Sequence, residues 1–239
     1  MTPSKKMRMP TRERLLDVAE REFAAHGFAG AKVRRITHQA RVNERMLYHY
    51  FDSKHGIYRA VLARLIDRVV LQLRSRFSLD STADPLEELT RAIRAYFDAV
   101  AAHPAFPRMV LHEALAGFKT LGELAEIKQL LTAEAIPLLA RGHASGSLRA
   151  DVDPRICISL MVITCLFYHV TLPRIQQLFT EPLGSTEKLN WAREQMIAIF
   201  RQGLAGPRQV GRSRDGSLST VAQTLTRGKN CEPGIVDQK

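Results

Sequence analysis

The stretch AKVRRITHQARVNERMLYHYFDSK, residues 31–54, decides the fold. Val33, Ile36 and Ala40 share one face of a short helical pattern over residues 32–40. Leu47 and Phe51, four apart, share one face of a second pattern that begins at Glu44. Asn43 stands ahead of it as a good amino-terminal cap, and only a tight turn fits between the two segments. Two short helices joined in this way and packed on a preceding helix make a helix-turn-helix.

Outward from this pair the signals stay helical. Behind Pro10, Thr11 is expected to cap a first helix with Leu15, Leu16, Ala19, Phe23 and Ala24 at helical period, and Gly27 is expected to end it. Asp52-Ser53 predicts a cap for a long fourth helix through about Phe77. Asp84-Pro85-Leu86-Glu87 is a sharp start signal for a helix to about His103, which Pro104 and Pro107 interrupt before a segment to Gly117. A helix over residues 121–143, bent near Pro137, follows. Asp153-Pro154 opens an apolar helix ending near Pro173, and a last helix covers residues 187–204. Strand alternation and hairpin turns are missing from the pattern, so the expected class is all-α.

Charge divides the chain. Residues 1–60 carry 13 Lys and Arg against 6 Asp and Glu, residues 61–205 carry 16 against 15, and residues 206–239 carry 6 against 3. A basic head on a nearly neutral body points to a polyanion for the head alone. The tail, rich in Gly, Ser, Thr, Arg and Gln, is expected to be disordered. Residues 1–10 carry Lys5, Lys6 and Arg8 with no apolar stretch behind them, so no secretory signal is expected. Three cysteines, at 157, 165 and 231, form no disulfide framework and fit a reducing cytoplasm. The most apolar run, residues 156–172, is broken by Ser159, Thr164, Tyr168, His169 and Thr171. It reads as a buried helix rather than a membrane span.

The second helix of the pair carries the chemistry. With Leu47 and Phe51 inward, Glu44, Arg45, Tyr48 and His49 lie outside and Met46 at the edge. Arg bonds guanine, Glu accepts from cytosine and Met meets a thymine methyl, so this is a base-reading surface for the major groove of double-stranded DNA. Lys32 and Arg34 on the first helix, with Tyr48, His49 and Lys54, suit phosphate oxygens, and Thr37 and Asn43 complete the expected contact set. Tyr48 and Tyr50 point differently, and Tyr50 is the better core candidate.

The run Leu47-Tyr48-His49-Tyr50-Phe51-x-Ser53-Lys54, with Gly27-Phe28, Val33-Arg34-x-Ile36 and Ala40-x-Val42, resembles the head of the tetracycline repressor family. The likeness reaches back through Leu15-Leu16-Asp17-Val18-Ala19 and Phe23 and covers about residues 9–69. It implies a bacterial homodimer on a palindromic operator, usually repressing, whose grip a small molecule in the body loosens. The implied division is a DNA-binding head over 9–69, with the helix-turn-helix at about 32–51. A sensing and dimerisation body follows over 70–205, with the tail over 206–239. Three positions depart from the family pattern. Ala31 replaces a usual Thr or Ser cap, Asn43 replaces the usual Ser, and Arg41 sits where Gly is usual, at a cost of about 1 kcal/mol if its φ is positive.

In the body the segment 156–172 is apolar on nearly all sides, so a second copy is expected to cover part of it as a four-helix bundle. Phe97, Phe106, Met109, His112, Phe118, Phe167 and Tyr168 are candidates to line an effector pocket, and all of them also suit ordinary core packing. Cys157, Met161, Cys165 and His169 fall at i+4 steps, but such ligands spread over about 18 Å of straight helix and cannot close on one ion. No metal or cofactor is expected. Nor is an enzyme, for no phosphate loop or nucleophile motif is present. A non-specific architectural DNA-binding factor is the alternative, separable by its ratio of specific to random-sequence affinity.

Overall fold

The structure is a computed structural model that describes residues 10–76, 83–123, 131–178 and 184–206. The expectations for residues 1–9, for the tail beyond 206 and for Cys231 lie outside these. Helix α1 spans Thr11–Gly30 and buries Leu15, Leu16, Ala19 and Phe23, the predicted stripe. Pro10 rather than Thr11 holds the cap position, and Thr11 is already helical, its hydroxyl accepting from Arg14 Nη2 at 3.3 Å. Gly27 ends the regular helix as expected, with φ 65° and ψ −178°, and only a short turn to Gly30 continues across this kink. A Cβ there would lie 2.9 Å from His112 Nδ1, so glycine lets the helix bearing His112 press directly on the α1 backbone.

The decisive pair forms as read. Helix α2 spans Val33–Ala40 and α3 spans Glu44–Phe51, with Asn43 Oδ1 accepting from the Arg45 N–H at 2.9 Å. Position 32, and not Ala31, caps α2, so Ala31 loses no cap; it is buried instead. Arg41 is in the left-handed region, φ 54° and ψ 49°, as its place in the turn suggested. Ile36, Leu47 and Phe51 join Phe23 and Tyr58 in one core, each fully buried apolar side chain worth about 1.5–3 kcal/mol. Helix α4, Lys54–Arg76, starts where the Ser53 hydroxyl accepts the Gly56 N–H at 2.9 Å, and it runs unbroken past residue 69.

Helix α5 is Pro85–Ala102 and α6 is Ala105–Leu115. Asp84 takes the cap position without a side-chain hydrogen bond. Pro104 and Pro107 divide the two helices, and Pro107 sits in the first turn of α6, where a missing N–H costs nothing. Of the helix expected over 121–143, the part at 124–130 lies outside the described residues; the rest is a 3-10 turn at Leu121–Glu123 and a π turn at Leu131–Ala135 that leads into α7, Ile136–Ser145. Helix α8, Pro154–Ile175, is capped by the Asp153 carboxylate on the Arg155 N–H at 2.8 Å and passes through Pro173. Helix α9 is Thr186–Leu204, capped by Ser185.

Two apolar clusters hold these helices. The first joins α1–α4 to Ala99 and Val100 of α5 and Phe106 and Met109 of α6. The second joins α5 to α7, α8 and α9 through Ile93, Phe97, Leu138, Leu139, Cys165 and Met196. Ion pairs pin α5 at the rim: Arg94 with Glu194, Arg193 with Asp98, Arg201 with Glu87, and Arg141 with the buried Glu88. Contrary to the sequence reading, Arg155–Leu178 is long and apolar enough to cross a membrane by length and composition, its most apolar 18 residues having a mean hydropathy of 1.9. Its Cys157, Cys165 and Leu172 are nevertheless buried against the bundle.

Arg41 stands at a left-handed position that glycine occupies without steric cost. Arg41→Gly should therefore raise stability by about 1 kcal/mol in urea unfolding, and an unchanged midpoint would remove strain from the account of this turn.

Candidate nucleic-acid interface

The outer face of α3 is open. Arg45, Tyr48 and His49 are exposed, Glu44 and Met46 half-buried, and Leu47 and Phe51 hold the helix from below. Lys32 and Arg34 are exposed along the start of α2. Lys54 is half-buried at the start of α4, its Nζ 4.9 Å over the Phe28 ring and 3.5 Å from the Ala29 carbonyl. Asn43 is exposed, but its side-chain oxygen is committed to the cap.

Two residues turn out otherwise. Thr37 is buried, and its hydroxyl donates to the carbonyls of Val33 and Arg34 at 3.2 Å, because it lies beside Ile36 on the inner face of α2. It offers no group to a phosphate in this conformation. Tyr50, expected in the core, is exposed and packs edge-on against His49 with ring centroids 5.3 Å apart. Leu47 and Phe51 already fill the space beneath α3.

Ion pairs engage part of the head's basic charge. On the side of α1 and α4, Arg64 meets Asp17 and Glu20 at 2.7 Å each, and Arg68 meets Glu20 at 3.2 Å. Among the described residues Arg34, Arg41 and Arg45 have no ion-pair partner. Lys32 beside them is also without one, as are the exposed Arg21 of α1 and Arg59 of α4, so unpaired cations lie on the α2–α3 pair and on the helices behind it.

Two buried carboxylates, not singled out in the sequence, position this interface. Glu22 of α1 is buried and accepts the Lys32 N–H at 3.1 Å, the amide at the cap of α2, while Arg35 Nη1 lies 3.4 Å from it. Its i−4 and i+1 neighbours Val18 and Phe23 are core residues, the one sign that Glu22 points inward. Glu113 of α6 accepts the Tyr58 hydroxyl of α4 at 2.8 Å and the N–H groups of Thr120 and Leu121 at 2.9 and 2.8 Å. Burial and this carboxylate raise the Tyr58 pKa, which keeps the phenol a donor.

Below the head lies a cavity of about 360 Å³ bounded by α4, α5, α6 and α8. Phe106, Phe118 and Phe167 line it as expected. Phe97, Met109, His112 and Tyr168 do not. Phe97 meets His169 edge-on with ring centroids 4.5 Å apart, Tyr168 packs on both of these rings, Met109 fills the first cluster and His112 lies against Gly27. Most of the wall is instead Ile66, Val69, Val70, Val110, Leu111, Val162, Ile163, Leu166 and Val170, residues that look like any core from sequence. The sulfur stripe of α8 divides into packing pairs, Cys157 with Met161 at 3.7 Å and Cys165 with Met196 at 3.8 Å. Burial pushes these thiols up to about 11 and about 12, so both remain protonated.

Residues 15–61 match the bacterial regulatory proteins of the tetR family, and residues 85–199 match the tetracyclin repressor-like C-terminal domain. The chain is 27% identical over 190 residues to the HTH-type transcriptional repressor NicS of Pseudomonas putida, across 76% of this chain and 86% of that protein. It is 32% identical over 148 residues to the HTH-type transcriptional repressor KstR2 of Mycolicibacterium smegmatis, across 59% of this chain and 69% of that one. The solved structure of the ketosteroid transcriptional regulator KstR2 of Mycobacterium tuberculosis aligns with a TM-score of 0.64 at 25% identity, over 83% of this chain and 96% of that one.

Removing Glu22 strands the amide at the head of α2. Glu22→Ala should lower stability by about 2 kcal/mol in chemical denaturation, whereas a loss below about 0.5 kcal/mol would mean that solvent takes over the cap.

Proposed function

Because the chain belongs to the tetracycline repressor family, we propose that it is a repressor that grips a palindromic operator as a homodimer and releases it when a small molecule fills the body. The observation that carries this reading is the open α3 face, with Arg45, Tyr48 and His49 exposed above a fully buried Leu47. A helix with a polar outer face and an apolar inner one is what the major groove admits. Its relatives are HTH-type transcriptional repressors, and they are regulators by name rather than enzymes. Acting on the chromosome places the protein in the bacterial cytoplasm, at the nucleoid.

The dimer rests on α8 and α9. Ile156, Leu160, Ile163 and Phe167 recur at spacings of four, three and four and are all more than half exposed, with Trp191 and Ile199 exposed on α9. This is an apolar seam of coiled-coil spacing, and a second copy of the same two helices covers it as a four-helix bundle. Two heads then read both halves of a palindrome, because a two-fold protein matches a two-fold site. Release by a small molecule is supported by the cavity under the head, whose volume falls within the range of small-molecule sites.

Selection of bound duplexes from a random pool should return a palindrome. With that operator, Arg45→Ala combined with Tyr48→Ala should cost about 2–4 kcal/mol of specific affinity at fixed salt while random DNA is affected far less. An unchanged preference would remove α3 from base reading. Leu160→Glu lies on the seam and outside the cavity wall, and it should yield monomers in sedimentation equilibrium; an intact dimer would place the interface elsewhere.

A further inference from the structure

Among the described residues, the wall of the cavity contains no Lys, Arg, Asp, Glu or His. Its one polar side chain is Tyr96 of α5, whose hydroxyl has no hydrogen-bond partner among the described residues. The backbone around it is helical and bonds to itself. Burial raises the Tyr96 pKa, so the phenol stays protonated and keeps a hydrogen to donate. A carboxylate or ammonium taken into such a site would lose its water and gain no counter-charge, at a cost of several kcal/mol.

Tyr96 also separates this cavity from a second one of about 110 Å³, with which it shares only Tyr96 and Val162. Apart from Tyr96 and the Cys165 thiol, the polar side chain of the second cavity among the described residues is Glu134, whose charge Arg74 meets at 2.8 Å. Replacing Tyr96 by a shorter side chain joins the two spaces into one longer slot.

We infer that the effector is an uncharged, largely hydrocarbon molecule carrying at most a neutral oxygen, and that Tyr96 sets its length and meets that oxygen. This rests on reading the body as a small-molecule sensor. The test uses the full chain, a neutral apolar dye such as N-phenylnaphthylamine, and its displacement by decanol, decanoate and decylamine below their aggregation concentrations. Decanol should displace the dye, and the two ions should bind at least about a hundredfold more weakly. Tyr96→Phe, which keeps the wall, should weaken decanol about three- to tenfold. Tyr96→Leu should move the best-bound alcohol to a longer chain.

Either ion binding within tenfold of decanol overturns the inference, as does failure of every alcohol to displace the dye. Indifference of the alcohols to Tyr96→Phe overturns the part assigned to the hydroxyl. Operator affinity is read in parallel. Decanol that binds with the expected headgroup preference but leaves operator affinity unchanged supports the ligand class and counts against release by a small molecule. Operator release by decanoate alone supports release and overturns the class.

Discussion

Ile66, Val69 and Phe106 each belong to two structures at once. They are buried in the apolar cluster that holds α1–α4 together, and they also form part of the cavity wall. The core of the head and the roof of the cavity are therefore one layer of side chains. Protein interiors are packed like crystals and yield little without moving their neighbours. Under the proposed function, a molecule seated in the cavity would push on side chains of the same cluster that holds Leu47 and Phe51 of α3. Gly27 adds a second contact of the same kind, because with no side chain it brings the α1 backbone against His112 of α6. Glu113, two turns from Phe106 on α6, adds a third by tying Tyr58 of the head to the Thr120–Leu121 turn. The three contacts differ in chemistry, yet all run through α6.

The division of charge within the head follows from the same packing. Arg64 and Arg68 lie on α4 where it crosses α1, so Asp17 and Glu20 reach them at hydrogen-bonding distance. Exposed or half-buried pairs of this kind contribute little stability, typically under about 1 kcal/mol each. Their larger effect is to commit Arg64 and Arg68 to the α1–α4 contact, while Arg34, Arg41 and Arg45 of the helix pair, like Arg21 and Arg59 elsewhere in the head, have no ion-pair partner among the described residues. Net composition alone counts all of these arginines equally. Geometry separates the ones that hold helices from the ones that face outward.

What could be read in advance was what short-range chemistry determines. The α2–α3 pair, the Asn43 cap, the left-handed Arg41 and the helix start at Asp153-Pro154 each depend on residues within one or two turns of one another. Glu22 and Glu113 escaped because their partners lie on other segments, and an isolated Glu in a helix looks like a solvated one. The cavity was the hardest to foresee. Aromatic and polar residues drew attention to Phe97, His112 and Tyr168, whereas the wall is mostly branched aliphatic, and nothing in a sequence distinguishes a Val that faces a void from a Val that faces another side chain. Only Phe106, Phe118 and Phe167 of the seven candidates lie in the wall, Phe106 and Phe167 from α6 and α8 and Phe118 from the turn that follows α6.

Helix α8 joins the remaining parts. Val162, Leu166 and Val170 face the cavity, Cys157 and Cys165 face the second cluster, and Ile156 and Leu160 face outward along the seam. Ile163 and Phe167 do two things, lining the cavity while remaining 59% and 56% exposed. The cavity is thus open beside the very ridge that a second copy would cover. In the proposed dimer, closing the seam also narrows the way into the cavity, and a ligand held there rests against side chains that the interface needs in place. A helix apolar enough to satisfy a membrane by composition is then explained without one, since each of its faces has a separate apolar surface to meet.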